Sequence, residues 1–394
     1  MYLMHKNTPV AVVSCIGNKP FGFEQVLNEH LLPVGTKRDL VIGGNAYFRA
    51  WLEMRAVPHD RQELTQLLQL IKISLSEAIF QSMAVSITDC YWFANSETDV
   101  NSIKWEDISF HTKGFNDTLG LSIITNQSCE LTDFRTPDLT TDGTLKKGWM
   151  LLNNEPILIK FGNLGANAHG ANLLSANEVV ATKVARLMDI PCVEYFPVTI
   201  ASTGEIACGC QSFISDNQHE FVNALQLMHD NPFLGNIELY HELCVMVGQK
   251  AIDRMILFDH IIHNTDRHEK NFGIIRDADT QAIISMAPLF DNGSSFGWNH
   301  TEDIQSMDDA KPFFRSRKAQ LEMVNNIKNV NIPDVKEIQQ LLRETYEAFN
   351  IDEQMYEIAK QDVGDSYRIL HEIIKEQEMA AQGTSITKDD DYER

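Results

Sequence analysis

The sequence predicts an α+β protein whose strands gather in the first 215 residues and in one later hairpin, with helices dominating after residue 216. Three observations carry this expectation. Apolar runs at 148–152 and 156–160 flank the turn Asn153-Asn154-Glu155, the pattern of a β-hairpin. A second pair, Val193–Ile200 and Ile206–Ile214, flanks Ser202-Thr203-Gly204-Glu205. Beyond 216, apolar residues recur at helical spacing, as at Ile338, Leu341, Leu342 and Tyr346.

Taken in order, residues 1–125 read as a separate α/β region without recognisable chemistry. Pro9–Ile16 and Leu40–Ile42 have strand character, and Gly43-Gly44 interrupts the pattern after them. Asp60-Arg61-Gln62-Glu63 looks like a capping box opening a helix with Leu64, Leu67, Leu68 and Ile71 on one face. Ala84–Ile87 and Tyr91–Phe93 suggest a short strand pair, and Trp105-Glu106-Asp107 a loop. The polar stretch Asn126–Asp138 marks a domain boundary.

Residues 126–215 form the second expected domain, with the two hairpins and a helix from Asn172 to Met188 between them, stopped by Pro191. Residues 216–380 form a helical third domain. There His241–Ile262 is long enough for six turns, and Phe272–Ile275 with Ala282–Met286 makes a further hairpin. The end of the chain, 381–394, has no apolar periodicity and is expected to be a disordered tail.

Bulk properties weigh against several classes. The net charge of -22 opposes a sequence-independent grip on nucleic acid, which needs Lys and Arg against phosphates. The same charge opposes docking on an anionic membrane face. No apolar run is long enough to span a bilayer. Lys6 and Val10–Ile16 lack the small-residue cleavage site of a signal peptide, so a cytoplasmic protein is expected. The seven cysteines show no zinc-type spacing and read as buried, reduced thiols.

The chemistry is concentrated in His263-Asn264-Thr265-Asp266-Arg267-His268-Glu269-Lys270-Asn271, with Asp291-Asn292-Gly293 downstream. An aspartate, four residues and an asparagine is the spacing of a phosphotransferase catalytic loop, in which the aspartate takes the proton of the attacking hydroxyl and the asparagine holds magnesium. A later aspartate before a glycine, at the end of an apolar strand, is where the second metal ligand belongs. Asp266, Asn271 and Asp291 therefore read as catalytic base and metal ligands. A phosphoryl donor also needs a lysine and close backbone approach to its phosphates. Lys160, closing the strand Ile157-Leu158-Ile159-Lys160, is positioned for the first, with Glu178 on the next helix as its partner. Thr141-Asp142-Gly143-Thr144-Leu145-Lys146-Lys147-Gly148 is the candidate phosphate loop, although it has neither the Walker pattern nor GxGxxG. Arg267 reads as a residue that holds the loop or approaches a carboxylate, and His268 as structural.

With these residues in hand, the chain resembles the HipA-like serine/threonine kinases. The matching segments are Asp142-Gly143-x-x-Lys146-Lys147-x-Trp149, Leu158-Ile159-Lys160, Asn177-Glu178-Val179, Asp266-Arg267-His268-x-x-Asn271-Phe272-Gly273 and Ala287-Pro288-Leu289-Phe290-Asp291-Asn292-Gly293-Ser294-Ser295. The resemblance is good over 138–315 and looser through the later helices. It implies a two-lobed protein-kinase-like fold, a mixed β-sheet N-lobe and a mainly helical C-lobe with ATP between them. It implies Mg2+ at Asn271 and Asp291, Asp266 as base and Lys160 on the phosphates. Thr141, Asp142, Gly143, Thr144 and Lys146 would form the phosphate loop, and Gln211 and Phe213 the adenine-contacting hinge of Cys210–Phe213. It further implies a protein substrate bearing a Ser or Thr hydroxyl, an antitoxin or other regulatory protein as partner, and autophosphorylation at Thr140, Thr141 or Thr144. The loop Ser294–Arg315 is expected to help accept the substrate. Phosphatidylinositol kinases share Asp-Arg-His-x-x-Asn, so a lipid or small-molecule kinase stays open beside a pseudokinase acting as a scaffold.

Overall fold

Alternating apolar residues early in the chain become strands, and helical periodicity late in it becomes helices. The computed structural model describes residues 1–17, 19–162, 172–231, 235–298, 311–313, 316–324, 327 and 330–389, with the backbone only at 236 and 380–389. In chain order come β1 (Tyr2–His5), β2 (Thr8–Ile16), β3 (Lys19–Val26), α1 (Arg38–Ile42), α2 (Ala46–Glu53), α3 (Leu64–Ile71), α4 (Leu75–Gln81) and β4 (Tyr91–Ala94). Next are α5 (Glu97–Ser102), α6 (Trp105–Ile108), α7 (Phe110–Lys113), α8 (Thr118–Thr125), β5 (Lys147–Leu152), β6 (Glu155–Lys160) and α9 (Leu173–Leu187). Then come β7 (Tyr195–Thr199), β8 (Ile206–Gln211), β9 (His219–Asn223), α10 (Ala224–Asp230), α11 (Asn236–Val247) and α12 (Gln249–Ile261). The last are β10 (Gly273–Asp277), β11 (Ile283–Met286), α13 (Arg317–Glu322), α14 (Val335–Ala348) and α15 (Glu353–Asp389). No described helix is long and apolar enough to cross a membrane.

The protein is thus α+β, with antiparallel sheets and many helices. It divides into two compact units. Unit 1 comprises Met1–Gly165, Val193–Gly235 and Glu269–Phe290; unit 2 comprises Ala166–Cys192, Asn236–His268 and Asp291–Arg394. Every described strand lies in unit 1, whose sheets run β3-β2-β1-β4, β5-β6-β8-β7 and β11-β10-β9. Unit 2 is helical among its described residues.

Unit 1 continues through Asn126–Asp138 without a break, and residues 1–125 are built into it. Helix α8 lies so close on β5 that a Cβ on Gly120 would sit 1.9 Å from the Trp149 carbonyl oxygen. A buried charge network adds a second tie. Glu220 on β9 accepts from His5 Nε2 at 2.8 Å, from the Cys90 amide at 2.9 Å and from Arg276 Nε at 2.9 Å. Burial alone would push the Glu220 carboxyl up, but these donors and the Arg276 charge hold it down at about 2. His5, Cys90 and Glu220 could geometrically hold a metal ion. The Arg276 guanidinium already compensates that carboxylate, so the cluster reads as structural.

In unit 2, α9, α12, α14 and α15 bury Val180, Val184, Phe258, Leu342, Tyr346, Phe349 and Val363. Burial of such side chains contributes about 1.5–3 kcal/mol each, before the entropy cost of ordering them.

Several sequence expectations need correction. Leu40–Ile42 is helical, in α1, because a three-residue apolar run does not distinguish strand from helix. The six-turn helix is two helices, parted at Gly248, whose φ of 86° breaks the helical ladder. Ala84–Ile87 forms no strand, and Tyr91–Ala94 pairs with β1 instead. Trp105–Ile108 is a short helix. The helix at Leu64 exists, but without a capping box: Arg61 and Glu63 bond one another. Helix α15 continues through Gly383 to Asp389 in the stretch expected to be disordered. No cysteine forms a disulfide among the described residues, yet Cys15 is exposed and Cys129, Cys192 and Cys244 are half-buried.

Candidate active site

Unit 1 carries the loop of residues 141–147, Lys160, Gln211, Phe213 and Asn271. The loop leads directly into β5, and its short polar side chains fold back on its own backbone. Thr141 Oγ1 donates to the Pro137 carbonyl at 2.7 Å and accepts from Trp149 Nε1 at 2.8 Å. Asp142 Oδ1 accepts the Gly143 amide at 2.7 Å. Gly143 has a φ of 101°, a left-handed conformation that favours glycine, and a Cβ there would lie 2.1 Å from Lys147 Nζ, the far end of a flexible side chain. Thr144 is exposed. Lys146 Nζ bonds Asn126 Oδ1 at 3.0 Å and lies 4.1 Å from the Phe161 ring centroid, and its partial burial lowers its pKa. Lys147, also within the candidate phosphate loop, is buried and donates from Nζ to the Asp142 carbonyl at 2.9 Å.

Beneath the loop lies Asp138, which accepts from the Trp149 amide at 2.9 Å and from the Thr136 hydroxyl at 2.5 Å. Burial raises its carboxyl to about 6 despite those donors.

Lys160 pairs with Lys147 across the β5–β6 hairpin, a register that the left-handed Asn153 and Asn154 permit. Its side chain is only 5% exposed, unlike a typical strand-ending lysine, and Nζ lies 5.4 Å from the Tyr195 ring centroid. Gln211, at the end of β8, is exposed. Phe213 stacks on Phe290 at 5.3 Å between centroids and meets Phe221 edge-on.

Asn271 is buried and enters β10 through Gly273, where a Cβ would come within 2.1 Å of the Val222 carbonyl oxygen. That close approach of β9 and β10 fixes where Asn271 sits. Lys270, just before it, donates to Asp142 Oδ2 at 2.9 Å, joining the motif segment to the loop of residues 141–147.

Unit 2 carries Glu178, Asp266 and Asp291. Asp266 sits on the loop after α12, its carboxylate paired with Lys311 Nζ at 2.8 Å and its side chain 42% exposed. The next residue, Arg267, is fully buried and grips Asp259 on α12 with two bonds of 2.9 and 2.8 Å. Burial alone would lower its pKa, but the Asp259 carboxylate outweighs that and raises it. Arg267 also donates to Asn292 Oδ1. His268 lies 4.0 Å from Asp266 and is partly exposed.

Asp291 takes a left-handed φ of 58°, an uncommon conformation that Asp tolerates better than most residues. The turn after it is held from α9. Glu178 accepts the Asn292 amide at 2.7 Å, and Asn177 Nδ2 donates to the Gly293 and Ser295 carbonyls at 2.9 and 2.8 Å. Tyr346 closes the set by donating to Asn177 Oδ1 at 2.7 Å. Glu178 is 2% exposed, so it is no surface glutamate.

Within unit 1 the structure therefore joins Asp142 to the segment bearing Asn271, and within unit 2 it joins Glu178 to the turn bearing Asp291. Asn271 and Asp291 offer hard oxygen donors, which suit Mg2+. Sequence reasoning missed Asp259, Asn177 and Asn292 as the supports of this machinery. Asn177 and Asn292 lie inside the matching segments but were given no role there; Asp259 stands in an ordinary helix and gave no signal. Most of the expected substrate loop, Ser294–Arg315, lies outside the described residues.

The family model described as the HipA-like C-terminal domain matches residues 142–352, more than half of the chain. No curated protein sequence matches it. Among solved structures, HipA of Shewanella oneidensis MR-1, from a toxin–antitoxin complex with HipB and operator DNA, is similar over 93% of this chain and 96% of its own, with 13% identity and a TM-score of 0.50. The Helicobacter pylori proinflammatory kinase CtkA matches 59% of this chain and 95% of its own, with 17% identity and a TM-score of 0.45.

Proposed function

The chain belongs to the HipA-like C-terminal domain family, and from that premise we propose that it is an ATP- and Mg2+-dependent serine/threonine protein kinase with a two-lobed, kinase-like arrangement. The observation that carries the reading is the local construction around Asp266. Its carboxylate faces solvent while the adjacent Arg267 is wholly buried on Asp259, which suits a base that must meet a substrate from a fixed backbone. Asp266 accepts the proton of the attacking Ser or Thr hydroxyl. Asn271 and Asp291 supply oxygen ligands to Mg2+, which neutralises phosphate charge when bound. Lys160 places a cation on the phosphates, and Glu178 holds the turn that carries Asp291. The backbone of 141–147 approaches the phosphates closely, with Gly143 making room. Gln211 and Phe213 line the adenine side.

HipA of the Shewanella complex was solved with HipB and DNA, which supports an antitoxin-like regulatory protein as partner here. The charge of -22 favours recruitment through such a protein over direct contact with nucleic acid.

Thermal shift with ATP tests the reading. ATP with Mg2+ is expected to raise the unfolding temperature of the wild type, by about 2.7 kcal/mol of apparent stability at a hundredfold excess over Kd. Asp291→Ala should lose most of the Mg2+-dependent part. A wild type that ATP leaves unshifted, with or without Mg2+, would turn the reading to an interaction scaffold.

A further inference from the structure

We infer that Arg61, Gln62 and Glu63 form a brace that sets the conformation of the phosphate loop, making them positioning residues for nucleotide phosphates; this rests on the proposed kinase function. The segment lies some eighty residues before the loop, yet it meets the loop through backbone groups along its length. Arg61 Nη1 donates to the Gly143 carbonyl at 3.0 Å and the Thr141 carbonyl at 3.4 Å. The Gln62 amide donates to the Thr144 carbonyl at 2.9 Å. In return, Gln62 Oε1 accepts the Lys146 amide and Glu63 Oε1 the Lys147 amide, both at 3.2 Å. Arg61 Nε bonds Glu63 Oε1 at 2.9 Å, and both side chains are buried. A buried guanidinium costs several kcal/mol unless compensated, so its placement against loop carbonyls is a specific arrangement.

Peptide geometry then decides where the loop amides point. In a trans peptide the carbonyl of one residue and the amide of the next point in opposite directions. Turning the carbonyls of Thr141, Gly143 and Thr144 onto the brace turns the amides of Asp142, Thr144 and Leu145 away from it. None of those three amides has an acceptor among the described residues. The brace thus produces a run of outward N–H groups, the arrangement that binds anions. Residues 1–125 contribute to nucleotide binding by this route, without touching the nucleotide.

The test uses the full chain with two variants. Arg61→Lys keeps the charge but loses the fork, and Gln62→Ala alters an exposed position that should leave folding intact. Hydrogen exchange over 141–149, with β6 as internal reference, reads the brace; KM for Mg-ATP against kcat reads positioning. The expected result is faster exchange at 141–147, with KM raised about tenfold in Arg61→Lys and about threefold in Gln62→Ala while kcat stays within about twofold. Unchanged loop exchange in both variants would overturn the brace. Faster exchange with unchanged KM would overturn its role in positioning. If the wild type neither binds nor uses ATP, the kinase reading fails, and the positioning role with it, while the exchange arm still decides the brace.

Discussion

The loop of residues 141–147 in unit 1 takes its support from Arg61, 82 positions before Gly143, whereas the Asp266 loop in unit 2 is held by Arg267 on Asp259, eight positions away. Both devices bury a guanidinium, but they bury it against different groups. Arg267 meets a full carboxylate in a two-bond fork, and Arg61 divides its donors between one carboxylate and two carbonyls. The first arrangement fixes one backbone rigidly within a helix–loop segment. The second orients a run of peptides and leaves their opposite sides available. On the proposed reading, the former suits a catalytic base and the latter a phosphate-binding loop.

Arg267→Ala should do the most damage. It strands the Asp259 carboxylate beside a cavity and should cost about 3–5 kcal/mol, read by urea unfolding. A loss below about 1 kcal/mol would mean the pair adds little beyond a surface bridge. Next is Gly120→Ala, whose new methyl would collide with the Trp149 carbonyl and force α8 off β5. Overpacking of this kind costs about 1–3 kcal/mol. If the variant is as stable as the wild type, α8 does not anchor the strand that the phosphate loop enters.

The units should also respond to pH with opposite signs. Burial lowers His260 of unit 2 to about 3, and it lowers the pKa of His263 as well. The unfolded chain therefore takes up protons below about 6.5 that the folded chain refuses, and stability falls as pH drops from there toward 3. His260→Gln keeps a donor for the Ser366 carbonyl and removes the titration, so its stability relative to wild type should improve over that window. Asp138 of unit 1 has its carboxyl raised to about 6, so its contribution is present below about 4 and lost as pH rises through 6. Asp138→Asn should gain on the wild type between pH 4 and 6 and level off above. Urea unfolding at pH 4, 5, 6 and 7 measures both, and parallel curves for all three proteins would contradict these assignments.

The smallest expected effect sharpens the account of the loop itself. Thr140 and Thr141 commit their hydroxyls to carbonyls inside unit 1, while Thr144 is exposed. On the proposed kinase reading, any phosphate the protein places on its own loop should therefore fall on Thr144. Peptide mapping after ATP incubation checks this, and label on Thr140 would show that the loop opens first.

These contrasts explain which features could be read in the sequence. Asp266, Asn271 and Asp291 stand out in the sequence because the proposed reaction would fix their types and spacing within a short stretch. The two hairpins were legible because their turn residues and apolar runs are contiguous. Arg61 and Glu63 were hidden, since nothing local shows that a polar helix start will meet a loop eighty residues later. Strand β9 was missed for a related reason: its buried Glu220 looks like a surface residue until His5 and Arg276 supply its partners. The break at Gly248 was overlooked because a single glycine is tolerated within many helices.

Asp266 is proposed to serve a phosphotransfer reaction, and transfer from labelled ATP with Mg2+ measures that role. Wild type should label itself or a lysate protein, and Asp266→Asn should fall by about 10²–10⁴-fold while remaining folded. Transfer that survives in Asp266→Asn at wild-type rate would contradict the account.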